Sequence, residues 1–435
     1  MKSLPRKLLL LFGLIGMLTH PLTGQEIHIE EKFALVGFAT LDGGTTGGQG
    51  GEIVTASTGY EIEEVIGEKQ DGEYPDGLNI IVNGTISQDN TEESKISVKD
   101  LSDLSIIGQD SSGIFDGIGI KIWKASNIII RNLTIHHVSE GEGDCVSIEG
   151  PADHIWVDHC TLYNDLDHDK DYYDGLLDAK RDCDYITISW NYLHHSYKTS
   201  LVGSSDDDVY NRRLNYHHNW IDTCNSRLPA YRFGHGHIFN NYYSRNIETG
   251  INARQGADLV IEKNYFENML NPIGYWYSDS TGYWNLSDNL FVNCEGSQPT
   301  TSTTDYVPPY EYRAVLDSVE NVKSTVMKYA GAGVISTTTA TREEKPIFPT
   351  DFYISAAYPN PFNPVTTIDY HLPGDSPVQI SVTSIRGEVI HAAQINGTNE
   401  TRHFTFDGAQ LSSGIYFVRF EAANYQTTRK IILVK

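Results

Sequence analysis

Cysteine is scarce and poorly spaced for a framework. Five residues in 435 (Cys145, Cys160, Cys183, Cys224 and Cys294) are too few to staple a chain of this length, and the odd count leaves at least one thiol unpaired in a monomer. No CxxC pair occurs, which removes the commonest zinc signature. Each cysteine sits in or beside an apolar, strand-like segment, so a buried thiol is as natural a reading as a disulfide. Positive charge is also short: 32 Lys and Arg against 57 Asp and Glu give a formal charge of -25. Non-specific nucleic-acid binding runs on cations that neutralise phosphates, and this composition argues against it. A GxSxG nucleophile elbow is missing, which leaves covalent acyl chemistry without a candidate. No apolar run after residue 18 approaches the roughly 20 residues needed to cross a bilayer. The glycine-rich stretch GGTTGGQGGE (43–52) lacks a GK[ST] ending and a flanking strand and helix. It reads as an irregular cap that needs positive φ, not as a phosphate loop.

What is present begins with a leader. Lys2, Arg6 and Lys7, the apolar run 8–18 and the small polar residues near Thr23 and Gly24 read as a secretory signal over 1–24. Its removal takes three positive charges and no negative ones, so the formal charge moves from -25 to -28. The 39% apolar and 20% charged composition is that of a soluble globular chain, with room for two or three domains.

From about residue 78 the sequence repeats. Short alternating segments end on a polar residue: NIIIRN (127–132), HIWVDH (154–159), YITISWN (185–191), RLNYHHN (213–219), HIFNN (237–241), DLVIEKN (258–264) and YWNLSDN (283–289). The closing Asn191, Asn219, Asn241, Asn264 and Asn289 are 28, 22, 23 and 25 residues apart. One strong β-branched strand per period, closed by Asn, is the pattern of a coil-by-coil solenoid. Leu at fixed offsets is missing, so a parallel β-helix fits better than a leucine-rich repeat. The Asn side chains are expected to stack as a ladder and to take up the left-handed backbone of the corner. The less periodic 299–333 reads as a closing segment with a short helix near 319–327. The prediction is an all-β chain: a β-helix domain over 25–335, a Thr-, Glu- and Pro-rich linker over 336–350, and six or seven short strands in 351–435 that suggest a small β-sandwich for attachment or recognition.

Chemistry concentrates between residues 174 and 232. Asp174 and Asp178 flank a Gly-Leu-Leu segment, Lys198 follows, and Arg227 and Arg232 bracket the Pro229 of RLPAYR. Asp144 precedes the neighbouring coil as the other acids precede theirs. Residues one coil apart stack about 4.8 Å from each other, so these carboxylates converge and repel unless a cation sits among them. Oxygen donors of this kind suit calcium, and the three cations suit carboxylates on a ligand. The insertion DLDHDKD (165–171) begins like an EF-hand but has Lys170 where that loop needs Gly and Leu176 where it needs Glu, so it reads as a solvated acidic loop. The His pairs 136/137, 194/195 and 217/218, with His235 and His237, are numerous enough to raise zinc. Adjacent strand residues point to opposite faces, however, and the pairs recur at one place in the repeat, which favours a structural role. The residues alone describe an exported β-helix with calcium beside a Lys/Arg cluster, acting on an acidic polymer.

Several segments then carry a resemblance: GGTTGGQGGE, IIVNGTI (80–86), IIIRNLTI (128–135), GDCVSIEG, IWVDHCTL (155–162), DGLLDAKRDCDYITISWN, YKTSLVGSSD (197–206), NYHHNWID (215–222) and SRLPAYRFGHGHIFNNYY (226–243). In this order and spacing they resemble the extracellular pectate lyases of the first polysaccharide lyase family over roughly 34–333. The resemblance implies a right-handed parallel β-helix, calcium held by Asp144, Asp174 and Asp178 with Glu142 as a candidate fourth ligand, and Arg227 as the catalytic base. It implies Lys198 and Arg232 on substrate carboxylates, and Asp158 and His159 in a structural role near the site. The implied reaction is β-elimination on α-1,4-polygalacturonate, leaving a C4–C5 double bond. A guanidinium acts as a base only when unprotonated, so an alkaline optimum is expected. Pectin lyases share the fold but lack the calcium acids, and the three aspartates favour the unesterified polymer. A galacturonan hydrolase would use paired acids without calcium and give saturated products. A non-catalytic calcium-dependent adhesin on this scaffold would not need an intact Arg227.

The tail resembles the C-terminal sorting domain of the type IX secretion system through PNPFNPVTTIDYHLP (359–373), IRGEV (385–389), LSSGIYFVRF (411–420) and RKIILVK (429–435). That implies export by a Gram-negative bacterium, followed by release or surface attachment. A monomer is expected, and the charge and hydropathy readings above predict no nucleic-acid partner and no membrane span.

Overall fold

The alternating segments become strands, and in the solenoid they pair in parallel, each coil laid on the one before. The computed structural model describes residues 25–27, 31–139, 143–335, 339–341, 353–354, 357, 359–422 and 425–435. The expected leader 1–24, Glu142 and most of the expected linker lie outside the described residues. Contacts divide the chain into two units, 1–341 and 342–435.

A typical coil of the first unit holds a long strand (Cys183–Ser189), a two-residue corner, a short strand (Tyr192–His194) and, after a loop, a third strand (Leu201–Val202). The long and short strands build a 17-stranded sheet, and the third strands build a separate sheet of eight. Inside, like stacks on like. Ile106, Ile130, Val157, Ile188, Tyr216, Ile238 and Ile261 stand in register through seven consecutive coils, none more than 1% exposed. Each such side chain stabilises the fold by about 1.5–3 kcal/mol when removed from water. In the parallel stack through Leu214 and Leu259 the intervening residue is Gly236, where a Cβ would lie 2.6 Å from Leu259 Cδ2. The Tyr231 ring occupies that space, and its hydroxyl donates to the His235 carbonyl at 2.7 Å.

The Asn ladder is present along its whole expected length. Asn191, Asn219, Asn241 and Asn264 each donate Nδ2 to the Oδ1 of the next Asn at 3.0, 2.9, 3.0 and 3.1 Å, ending on Asn289. Their backbone N–H groups donate to the same oxygens. The left-handed backbone falls elsewhere than expected, on the residue before each Asn: Trp190, His218, Asn240, Lys263 and Asp288 have φ between 50 and 55°. The ladder Asn thereby stays extended enough to reach along the stack. For non-glycine residues left-handed backbone costs roughly 1–2 kcal/mol. At Trp190 stacking against His218, at 4.2 Å between centroids, offsets it.

Helix Gly59–Gln70, not read from the sequence, packs its Ile62, Val65 and Ile66 onto the first coils. It begins with a capping box in which Thr58 and Glu61 exchange side-chain-to-backbone bonds. The expected closing helix is Val319–Tyr329, with Val322 and Val326 buried beside Tyr242. Part of the expected linker is ordered, since Thr339–Thr341 pairs antiparallel with Gln25–Ile27. All five cysteines are free, four of them buried.

The second unit is a five-stranded antiparallel sheet. Two segments read separately from the sequence, TTIDYHL and VQISVTS, run on as the single strand Val365–Ser384, with register shifts between His371 and Pro377. Ile380, Val382, Val418, Phe420 and Ile431 form its core, each at most 1% exposed.

Candidate active site

The eight-stranded sheet positions the expected chemistry. Asp144 precedes Val146–Glu149 and Asp178 lies on Leu177–Lys180, so successive coils set these two side by side, while Arg232 ends Ala230–Arg232 two coils further on. Asp144 and Asp178 are buried and share one cation that sequence reasoning missed: Lys180 Nζ lies 2.9 Å from Asp144 Oδ2 and 3.1 Å from Asp178 Oδ2. Gly175 makes room for the pair, because a Cβ there would fall within 2.8 Å of a carboxylate oxygen of each. Burial, then Asp144, pushes Asp178 up from the ordinary 3.8 to about 7 despite Lys180 and Arg227. Asp174 is raised as well, by burial and then by Asp144.

The ligand atoms of Asp144, Asp174 and Asp178 do not all lie within 4.8 Å of one another; among the described residues only Asp116, His136 and His137 do. The ammonium of Lys180 stands between two of the three acids. The donor set nevertheless suits a hard divalent ion, being all oxygen with a carboxylate whose charge one lysine does not settle.

Beside the acids a cavity of about 370 Å³ is lined by Lys198, Arg227, Arg254, Lys170, Asp171 and Tyr277 among others. Arg227 sits at a left-handed residue (φ 63°), half-buried, and its guanidinium makes no hydrogen bond or ion pair among the described residues. Lys198 Nζ is 3.0 Å from Asp171 Oδ1 and 3.8 Å from Asp174 Oδ1. The insertion read as a solvated loop therefore supplies part of the cavity wall, through Lys170 and Asp171. Its Asp165 is held down to about 2, burial notwithstanding, by bonds from His168, Tyr173 and two backbone amides.

Arg232 stands apart from the cavity lining: its Nε donates to Asp206 at 2.9 Å and a terminal nitrogen to the Gly203 carbonyl at 3.0 Å. The next strand puts Arg254 directly beside it. Arg254 is 7% exposed and its Nε has no hydrogen-bond partner. Burial and then the charges of Arg232 and Arg227 lower it to about 10. Arg254 was not read from the sequence; only its register with Arg232 one coil before marks it. Asp158 and His159 lie on the other sheet, buried and bonded to each other at 2.6 Å, with Arg131 and Ser189 also on Asp158.

Adjacent histidines do not point to opposite faces here as expected. The second His of each pair has left-handed backbone, which turns both rings to one side with Nδ1 atoms 3.0, 2.8 and 2.9 Å apart at 136/137, 194/195 and 217/218. His237 is enclosed differently, between Tyr310 and Glu262.

A parallel β-helix that carries clustered acids on one sheet, next to a cleft lined by Lys198, Arg227 and Arg254, has the layout of a protein that handles an anionic polymer. Residues 13–335 match the family model described as pectate lyase, and 356–435 match the secretion system C-terminal sorting domain. The pectate trisaccharide-lyase of Bacillus licheniformis is 53% identical over 332 residues, covering 74% of this chain and 96% of the relative. The crystal structure of a pectate lyase from Bacillus sp. N165 in complex with trigalacturonate aligns at TM-score 0.67 and 41% identity, over 70% of this chain and all of that one. Pectate lyase C from Erwinia chrysanthemi, solved at pH 9.5 with 30 mM Ca2+, aligns at TM-score 0.59 and 26% identity, over 71% and 99%. The chain belongs to the pectate lyase family and is an enzyme of that class.

Proposed function

We propose that the enzyme cleaves α-1,4-linked polygalacturonate by calcium-dependent β-elimination, releasing 4,5-unsaturated oligogalacturonides. The observation that carries this reading is Arg227, a half-buried guanidinium without a partner among the described residues that shares one cavity with Lys198 and Arg254. Lys198 and Arg254 bind and orient galacturonate carboxylates, and Arg232, tied to Asp206, stands beside Arg254 on the neighbouring strand. Arg227 takes the C5 proton; the C5 electron pair becomes the C4–C5 double bond, the C4–O4 bond breaks, and O4 leaves with a proton from solvent. Asp144, Asp174 and Asp178 would hold calcium, with Glu142 as a further candidate. When bound there it neutralises the acids and draws charge from the substrate carboxylate. Because Arg227 must be unprotonated to act, activity rises toward alkaline pH.

The tail supports export through a type IX machinery from a Gram-negative cell, with the enzyme delivered outside or held at its surface. No helix among the described residues is long and apolar enough to cross a membrane.

Mass spectrometry of the products from polygalacturonate and from methyl-esterified pectin, with and without chelator, tests the reading. Unsaturated fragments from polygalacturonate, abolished by chelation, are expected. Saturated fragments would indicate hydrolysis, and no fragments would leave a binding protein.

A further inference from the structure

Outside the cleft, the three His pairs repeat one geometry, rings at 86–90° with their Nδ1 atoms facing, but among the described residues only one pair has a carboxylate whose oxygen lies within 4.8 Å of both ring nitrogens. Asp116 ends the strand Ser102–Asp116 and stands in register with His136 one coil on. Its Oδ1 lies 3.4 Å from His136 Nδ1, and His136 is its one ion-pair partner among the described residues. Together with His137 these ligand atoms all fall within 4.8 Å of one another. At the 194/195 pair the in-register carboxylate is Asp222, already bonded by Ser244 Oγ at 2.6 Å and Arg245 Nε at 2.9 Å. At 217/218 the in-register neighbours are Ser189 and Phe239. The first pair is also held by its surroundings: Tyr163 stacks on His136 at 4.7 Å, and Tyr173 stacks on His137 at 5.7 Å.

We propose that Asp116, His136 and His137 form a binding site for a borderline divalent transition metal, with zinc the ion of choice, separate from the aspartates of the cleft. Two imidazole nitrogens and one carboxylate suit zinc, with water as a fourth ligand. Ligand atoms roughly 2.0–2.1 Å from a tetrahedral zinc stand roughly 3.3 Å apart. The 3.0 and 3.4 Å separations already present need little rearrangement. Without metal, one Nδ1 carries a proton and donates to the other. On binding, that imidazole moves its proton to Nε2, so both Nδ1 lone pairs become ligands and the neutral pair releases no net proton. The ion cross-links two successive coils and takes no part in the cleft, so its effect is on stability and not on turnover.

The test uses full-length protein without a polyhistidine tag, stripped with chelator and titrated with Zn2+ alone by calorimetry, then with Co2+ for its visible spectrum. One zinc equivalent and an intense tetrahedral cobalt band are expected in the native sequence. D116N and H137Q should weaken zinc binding by roughly a hundredfold or more, since even outer-shell partners are worth that much. H195Q and D178N should retain it. Asp116 is 54% exposed, so D116N should fold and carries the test if H137Q does not. No zinc binding by the native protein, or undiminished binding in D116N, would overturn the site.

Discussion

Single side chains decide what the cleft can do. Arg254 is a nearly buried cation with an unbonded Nε and two arginines for neighbours, an arrangement that costs stability until an anion arrives. Arg254→Gln should lose about 2 kcal/mol of transition-state binding, the scale of a hydrogen bond to a charged group, which is roughly thirtyfold in kcat/KM measured on polygalacturonate. Asp178 sets a pH dependence of the opposite kind. Its folded-state value is raised from 3.8 to about 7, so the stability it lends is fully present below about 4 and is lost as pH rises through about 7. Chelator-treated enzyme should therefore lose this contribution between those limits in denaturant titrations. Calcium should suppress the loss, and Asp178→Asn should abolish it. The acids, Lys198 and Arg227 could be picked out from the sequence because their residue types and spacing are specific. Lys180 and Arg254 could not, because a lysine two residues after an acid and an arginine before Gln-Gly look like ordinary surface charge until the register shows what they face.

At the level of strands and corners, the repeat was readable because a solenoid writes each coil into the sequence with the same alternation and the same closing residue. The corner itself was misplaced by one. Asn tolerates left-handed backbone, which made it the obvious corner residue, but its amide is needed for the ladder, and Trp190 or Lys263 bends instead. Asn219 sits mid-ladder: its Oδ1 accepts from both the backbone and side chain of Asn191, and its Nδ2 is shared between Asn241 and the Ile188 carbonyl. Asn219→Ala should cost about 2–4 kcal/mol by leaving several buried groups unpaired, read as a shift of the denaturant midpoint. Asn→Asp at the same place should cost as much, because it removes the donor. Helix Gly59–Gln70 went unread although T-x-x-E stands at its start; it has just four buried residues, too few for a visible helical period.

Over the whole chain, catalysis and delivery belong to different units. The residues of the cleft all lie within 1–341, and the match to the sorting domain covers 356–435. Truncation after residue 341 should leave kcat and KM on polygalacturonate unchanged while the enzyme stays inside the producing cell, measured by activity in medium against cell extract. A chain of net charge -25 can bind a polyanion when Lys198, Arg227 and Arg254 gather in one cavity and the nearby acids hold a divalent ion.

The central claim is that Arg227 removes the C5 proton beside the aspartate cluster. The measurement that reaches it most directly is the initial rate of ultraviolet absorbance from the C4–C5 double bond, in saturating calcium and polygalacturonate, for the native enzyme and Arg227→Ala. The account predicts a fall in kcat of about a thousandfold, the range of a lost general base, with calcium and polymer still bound. A variant that keeps its rate would contradict it.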